Sequence, residues 1–459
     1  MKAGLLPLYI KLYDDFVPFL RERLESFYEK VAAALESRGI EVILAPFCRE
    51  LPEFEETVKT FETESADAII TLHMAYSPSL ESAGVLAGSA LPIIVLDTTE
   101  TSTFTNTQDA GEINYNHGIH GVMDLCSMLI RLGKPYAIAA GHYEKSDCLD
   151  RVEGFLRAAV AARALQQSKV GLFGPAFPSM GDFAVPYEEM QARFGIQAQV
   201  LPPEQVEAVY DSITEAEIAA EKAENAVMFT LCTDTRTPDY DACVRACLAV
   251  RKCIDLYGLS AFSATFLHME TVLSGLPTMP FLECCKAMSR GIGYAGEGDA
   301  LTAAFTGALL QGYPETNFVE IFCPDWENDM VFLSHMGEMN YRIADNKPAL
   351  YQNALRYAGD YTPYAAYARM KGGKGVYLNV SRGKEDFKLV LASAQMLCFQ
   401  EDSFQTSMRG WMKTEHGTAE LLEKLSRHGA THHSVFIYDA MVEQMAYFGA
   451  LLGLETVVI

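Results

Sequence analysis

Short apolar runs rich in β-forming residues recur through the first 165 residues, and helical patterns separate them. The runs lie at 4–8, 41–45, 68–72, 92–96 and 136–140, with helix-like stretches such as 15–37 and 122–132 between them. Such alternation predicts a parallel sheet covered by helices on both faces. A second α/β unit opens at 169–174. It continues through 197–201, a helix over 204–224, a strand at 226–231, a helix over 239–256 and a strand at 260–266. After residue 316 the rhythm changes. Strands at 317–323, 330–334, 375–380 and 387–392 follow with few helices between them, which predicts antiparallel pairing. A helix over 418–428, a strand at 433–438, a helix over 440–452 and a strand at 455–459 complete the pattern. The expected class is α/β: two Rossmann-like parallel-sheet domains, 1–168 and 169–316, and a C-terminal β-rich, barrel-like antiparallel domain, 317–459.

The chain has 459 residues and a net charge of −24, with a sequence pI of about 4.8. A surface of that sign repels phosphate backbones and anionic lipid, so neither nucleic acid nor membrane is an expected partner. Neutral polyols and cations remain. No run of ~18 apolar residues exists to span a bilayer, and the opening Met1-Lys2-Ala3-Gly4 lacks a leader's apolar stretch. The expected location is the cytoplasm. The eleven cysteines include no CxxC pair, and Cys243, Cys247 and Cys253 share one expected helix. They read as buried reduced thiols rather than a disulfide or zinc framework.

Gly291-Ile-Gly293-Tyr-Ala-Gly296 matches GxGxxG, but the preceding 281–290 reads as helix, whereas a dinucleotide fingerprint needs a strand there. Glu297 and Asp299 would also set negative charge beside a pyrophosphate. The segment reads better as a carboxylate, Glu297, on a tight glycine turn; its structural alternative is Asp299 as a helix N-cap with Glu297 in solvent. Glu320 lies inside the apolar run Phe318-Val-Glu-Ile-Phe322. Pointing outward, it would carry both aromatics into solvent with it. Turned inward, it needs a partner such as a metal. His335 ends another apolar run, and His432-His433 opens one; a lone histidine in either place is ordinarily a hydrogen-bonded core residue. Two glutamates and one or two histidines at strand ends make a mixed O/N ligand set suited to manganese, cobalt or iron(II), with magnesium an alternative.

These residues resemble a known pattern. Gly293-Tyr-Ala-Gly-Glu297-Gly-Asp299 with Thr302-Ala-Ala304 is similar to the glycine-flanked glutamate motif of the L-arabinose isomerase family, in the wider L-fucose isomerase group. The likeness runs on through Phe318-Val-Glu320, Asn328-Asp-Met-Val331, Ser334-His-Met336 and Arg409-Gly-Trp411 to Gly429-Ala-Thr-His-His433. Asn116-His-Gly118, Gly141-His-Tyr143 and Phe173-Gly174 match in the first half.

The resemblance implies an aldose–ketose isomerase working on an open-chain sugar through an enediolate. It implies a divalent cation, Mn²⁺ first, on Glu297, Glu320, His335 and His433, with the two glutamates as the acid/base pair. It places Ile10, Leu12, Asn114, His117, Met180, Phe266 and His432 at the sugar. His117 would come from a neighbouring subunit, so a homo-oligomer, hexamer or tetramer, is expected. Two departures stand out. Ile10 replaces a sugar-contacting glutamine, and Ile321-Phe-Cys-Pro-Asp325 replaces the tract after the second glutamate. Both point to a substrate other than L-arabinose: another pentose, a deoxyhexose or a modified hexose. Two other readings are a sugar-binding or sensing protein without catalysis, which would need no metal ligands, and a nicotinamide oxidoreductase, which would need the missing strand–turn–helix.

Overall fold

A computed structural model describes residues 1–268, 274–352 and 363–459. The chain divides into two compact units, Met1–Val160 and Ala161–Ile459.

The first unit is built on five parallel strands: β1 (Lys2–Leu8), β2 (Glu41–Leu44), β3 (Ala68–His73), β4 (Ile93–Asp97) and β5 (Tyr136–Ala140), in the order β2-β1-β3-β4-β5. All five expected runs fall on these strands. Leu6, Leu8, Ile69, Ile93 and Val95 pack against Phe54, Phe61, Ala83, Val122 and Leu125 on the helices of one face. Close packing explains Gly4, where a Cβ would lie 2.4 Å from the Phe61 ring. The helix expected over 15–37 begins instead at Leu20, after a separate short helix Lys11–Phe16. Pro18 accounts for the break, because it disfavours helical geometry at the residue before it.

The second unit opens with β6 (Lys169–Phe173), β7 (Gln197–Val200), β8 (Thr230–Leu231), β9 (Ala261–Ala264) and β10 (Gly293–Gly296). Four of them form a parallel sheet ordered β10-β9-β6-β7. The helix expected over 204–224 is two helices, Pro203–Asp211 and Glu215–Met228. Thr214 restarts it with a capping box: its hydroxyl accepts the Glu217 N–H (3.3 Å), and the Glu217 carboxylate accepts the Thr214 N–H (2.8 Å). That second helix consumes most of the strand expected at 226–231 and leaves only β8, which stands outside the parallel sheet. β10 was expected as a glycine turn. Its glycines serve packing: a Cβ on Gly293 would lie 2.3 Å from the Ala303 carbonyl oxygen, on the helix Ala300–Gly312.

The rest of the unit adds β11 (Thr316–Asp325), β12 (Met330–Ser334), β13 (Ala349–Gln352), β14 (Tyr364–Tyr367), β15 (Gly373–Arg382), β16 (Phe387–Leu397), β17 (Gly410–Thr414), β18 (His433–Tyr438) and β19 (Glu455–Val458). Six close into an antiparallel barrel, β15-β18-β11-β12-β17-β16 and back to β15, with β19 added parallel to β16. β13 and β14 pair with each other, and β8 joins them. Among the described residues no helix is long and apolar enough to cross a membrane.

Candidate metal centre

Strand register brings three separated segments together. Glu320 on β11 pairs on one side with His433, the first residue of β18, and on the other with Ser334, the last residue of β12, just before His335. One glutamate is thus flanked by two histidines at strand ends. Phe318, on the same side of β11, is buried with its ring 4.9 Å from both imidazoles, whereas Phe322, past a bulge, is exposed. Glu320 therefore turns inward, as its apolar surroundings suggested.

Glu297 arrives from the turn after β10, at φ 63°, a left-handed conformation uncommon outside glycine. Its neighbours permit the turn. A Cβ on Gly296 would lie 2.6 Å from the His335 ring, and one on Gly298 2.3 Å from Ala176 Cα. Asp299 serves twice. Oδ1 accepts the Thr302 N–H as N-cap of Ala300–Gly312 (2.9 Å), and Oδ2 accepts the His433 Nδ1–H (3.0 Å). The cap expected of Asp299 is present, but Glu297 is not a solvent residue: its carboxylate lies 3.5 Å from His433 Nε2 and 3.7 Å from His432 Nε2.

Each buried imidazole of this site has one nitrogen committed to a carboxylate. His335 Nδ1 donates to Glu338 Oε2 (2.7 Å), while Glu338 also accepts the Tyr294 hydroxyl (2.7 Å) and the Gly337 N–H (2.8 Å). His335 Nε2 then faces Glu320 Oε2 at 3.9 Å. His433 Nε2 is buried and makes no hydrogen bond among the described residues. Oriented imidazoles with a carboxylate behind them are the usual arrangement of metal ligands. The ligand atoms of Glu320, His335 and His433 lie within 4.8 Å of one another, as do those of Glu297, His432 and His433.

The local charge balance is negative. Burial pushes Glu297 up, but His432 and His433 outweigh it and hold the carboxyl at about 2. Burial dominates at Glu320, which is raised despite His335. Burial would lower His433, yet Asp299 and Glu297 lift it to about 9, and Glu338 raises His335 in the same way. Glu297, Asp299, Glu320, Glu338 and Asp182 face three imidazoles. An orphaned imidazole nitrogen in a site of surplus negative charge fits a divalent cation, and the O/N donor set suits Mn²⁺, Co²⁺ or Fe²⁺.

Two family models match this chain: the L-arabinose isomerase central domain over residues 186–311 and the L-arabinose isomerase C-terminal domain over 315–455. The chain belongs to the L-arabinose isomerase family, a family of aldose–ketose isomerases. The L-arabinose isomerase of Aeromonas salmonicida (strain A449) is 27% identical over 380 residues, covering 76% of this chain and 72% of its own length. That of Erwinia tasmaniensis is 26% identical over 436 residues, covering 87% and 81%. Among solved structures, a periplasmic solute-binding protein from Actinobacillus succinogenes with bound D-allose is 16% identical. It covers 68% of this chain and 91% of its own, at a TM-score of 0.17, too low to carry fold or function across.

The remaining residues that the family resemblance singled out divide between the two units. His432 is at the centre, with its Nδ1 2.6 Å from Asp182. Phe266 sits with its ring 5.7 Å from Phe177, whose N–H donates to the Glu297 carbonyl (2.8 Å). Met180 is half-buried in the same loop as Phe177. The other four lie in the first unit. Ile10 is the N-cap position of Lys11–Phe16, Leu12 is exposed, Asn114 is half-buried in Ile113–Asn116, and His117 Nε2 is 2.9 Å from the Tyr13 hydroxyl. Sequence reasoning missed Glu338, Asp182 and the second role of Asp299. Glu338 left one signal, its place three residues after His335.

Proposed function

We propose that this chain interconverts an aldose and a ketose at the site formed by the turn after β10, the middle of β11, the residue after β12 and the start of β18. Glu297, Glu320, His335 and His433 hold one divalent cation, Mn²⁺ by preference. When bound, that ion would polarise the carbonyl of an open-chain sugar as a Lewis acid. Isomerisation moves one proton between C1 and C2 and another between O1 and O2, through an enediolate. One of the two glutamates takes the carbon-bound proton and the other serves the oxygens. In the absence of a cation the imidazoles hold Glu297 down while burial raises Glu320, so the two carboxyls occupy unlike surroundings. His335 and His433 act as fixed neutral ligands, oriented by Glu338 and Asp299.

The observation that carries this reading is the meeting of Glu297 and Glu320 with two imidazoles whose outer nitrogens are already committed. Ile10 cannot exchange hydrogen bonds with a sugar hydroxyl, so L-arabinose is proposed as a secondary substrate. A cytoplasmic homo-oligomer, hexamer or tetramer, with His117 at a neighbour's site, belongs to the same proposal. The test is a panel of pentoses, deoxyhexoses and hexoses with Mn²⁺, scored for ketose. Formation of ketose from at least one aldose, faster than from L-arabinose, is expected. Sugar binding with no ketose from any member would overturn the catalytic reading.

A further inference from the structure

Three imidazoles at the site are backed by three carboxylates, and the third pair is unlike the other two. Glu338 and Asp299, behind His335 and His433, have side chains 1% and 0% exposed. Asp182, behind His432, is 36% exposed and comes from the loop between β6 and the helix Tyr187–Phe194. Its Oδ2 accepts both the backbone N–H of His432 (3.0 Å) and the ring Nδ1–H (2.6 Å). One oxygen therefore fixes the backbone and the ring together and leaves Nε2 facing Glu297. The same loop touches the site twice more. Phe177 donates its N–H to the Glu297 carbonyl (2.8 Å), and the Phe183 ring lies flat on His433, centroids 5.0 Å apart and planes 8° apart. The His432 side chain is 33% exposed, against 4% and 0% for His335 and His433. It opens to solvent, from which substrate arrives, while the other two are closed in around the cation site.

We propose that Asp182 is a positioning residue: it latches residues 174–186 onto the site and holds His432 with Nε2 directed at an oxygen of the bound sugar rather than at the cation. The proposal rests on the isomerase reading above. The carboxylate on Nδ1 fixes the ring and leaves Nε2 as the nitrogen that meets a sugar oxygen. His335 and His433 use the same device for a metal. What separates His432 is that its carboxylate rides on a loop, so the hydrogen bond that orients the ring also closes the loop.

The test compares Asp182→Asn, Asp182→Glu, His432→Asn and the double variant Asp182→Asn/His432→Asn in the full chain. Three quantities are read: kcat and KM on the best aldose, Mn²⁺ affinity of the metal-stripped protein by calorimetry, and hydrogen exchange across 174–186. Asp182→Asn is expected to lower kcat/KM by roughly 10–100-fold, to leave Mn²⁺ affinity unchanged and to speed exchange in the loop. It is expected to add nothing to His432→Asn, and Asp182→Glu is expected to recover part of the loss. Unchanged kcat/KM, losses that multiply in the double variant, or Mn²⁺ affinity falling with activity would each overturn the proposal. A wild-type protein that binds Mn²⁺ but converts no aldose would defeat the isomerase reading instead. Open-chain pentitol binding to the Mn²⁺-loaded protein would then decide the latch: weakened by Asp182→Asn it stands, unchanged it falls.

Discussion

Two buried histidines stand at strand ends, one in each unit, and share little else. His73 closes β3 in the first unit. It is 4% exposed, and neither ring nitrogen has a hydrogen-bond partner among the described residues. The helix beside it approaches so closely that a Cβ on Gly121 would lie 2.3 Å from its ring. Burial pushes His73 down to about 3, against the pull of Asp124. His433 opens β18 in the second unit at 0% exposure, and Asp299 and Glu297 carry it the other way, to about 9. Residue type and burial are alike. The carboxylates separate a packed imidazole from a metal-ligand candidate, and they also set which nitrogen remains to bind.

Removing the carboxylates that face the proposed cation site should have the largest effect. Glu297→Gln and Glu320→Gln are each expected to lower kcat by ~10²–10⁴-fold with the circular dichroism spectrum unchanged. Near-normal turnover with Mn²⁺ still bound would end the acid/base assignment. Next comes the carboxylate behind the histidine. Asp299→Asn keeps a side-chain oxygen for the Thr302 N–H but removes the charge behind His433. Mn²⁺ affinity or turnover should fall by roughly 10–100-fold, while thermal stability holds. Unchanged Mn²⁺ affinity and turnover would mean that Asp299 matters only as a cap.

The smallest effect is expected at the unpartnered histidine. His73→Leu should leave Mn²⁺ binding and turnover as they are. Its consequence is for stability in acid. Because the folded value lies near 3 and an unfolded histidine near ~6.5, the unfolded chain takes up the proton first. The stability is complete above ~6.5 and declines as the pH falls towards 3. Urea unfolding of the metal-free protein at pH 7 and pH 5 should show about 2 kcal/mol of such loss in the wild type, absent from His73→Leu. Parallel pH profiles in the two proteins would contradict the solitary state assigned to His73.

Much of this was legible in the sequence, for physical reasons that differ by region. The strands of the first unit announced themselves because apolar β-formers lie between helical patterns. β10 did not, because Gly293 and Gly296 have little strand preference; the strand exists because the helix Ala300–Gly312 packs against it closely. The break at Thr214 depends on a cap that apolar periodicity does not register. Glu320 stood out as an acid in an apolar run, and Glu297 by the glycines that its φ of 63° requires. Asp182 left no such mark: its partner lies 250 residues away, and only the folded chain joins a loop after β6 to the start of β18.

We expect one divalent cation among Glu297, Glu320, His335 and His433, with His432 outside its coordination. Anomalous diffraction at the manganese edge, on crystals of the full chain grown with Mn²⁺, tests it most directly. A single peak is expected at this site, within coordination distance of those four side chains and beyond it from His432 Nε2. A peak held by Glu297, His432 and His433 without Glu320 and His335, or no peak at this site under saturating Mn²⁺, would contradict it.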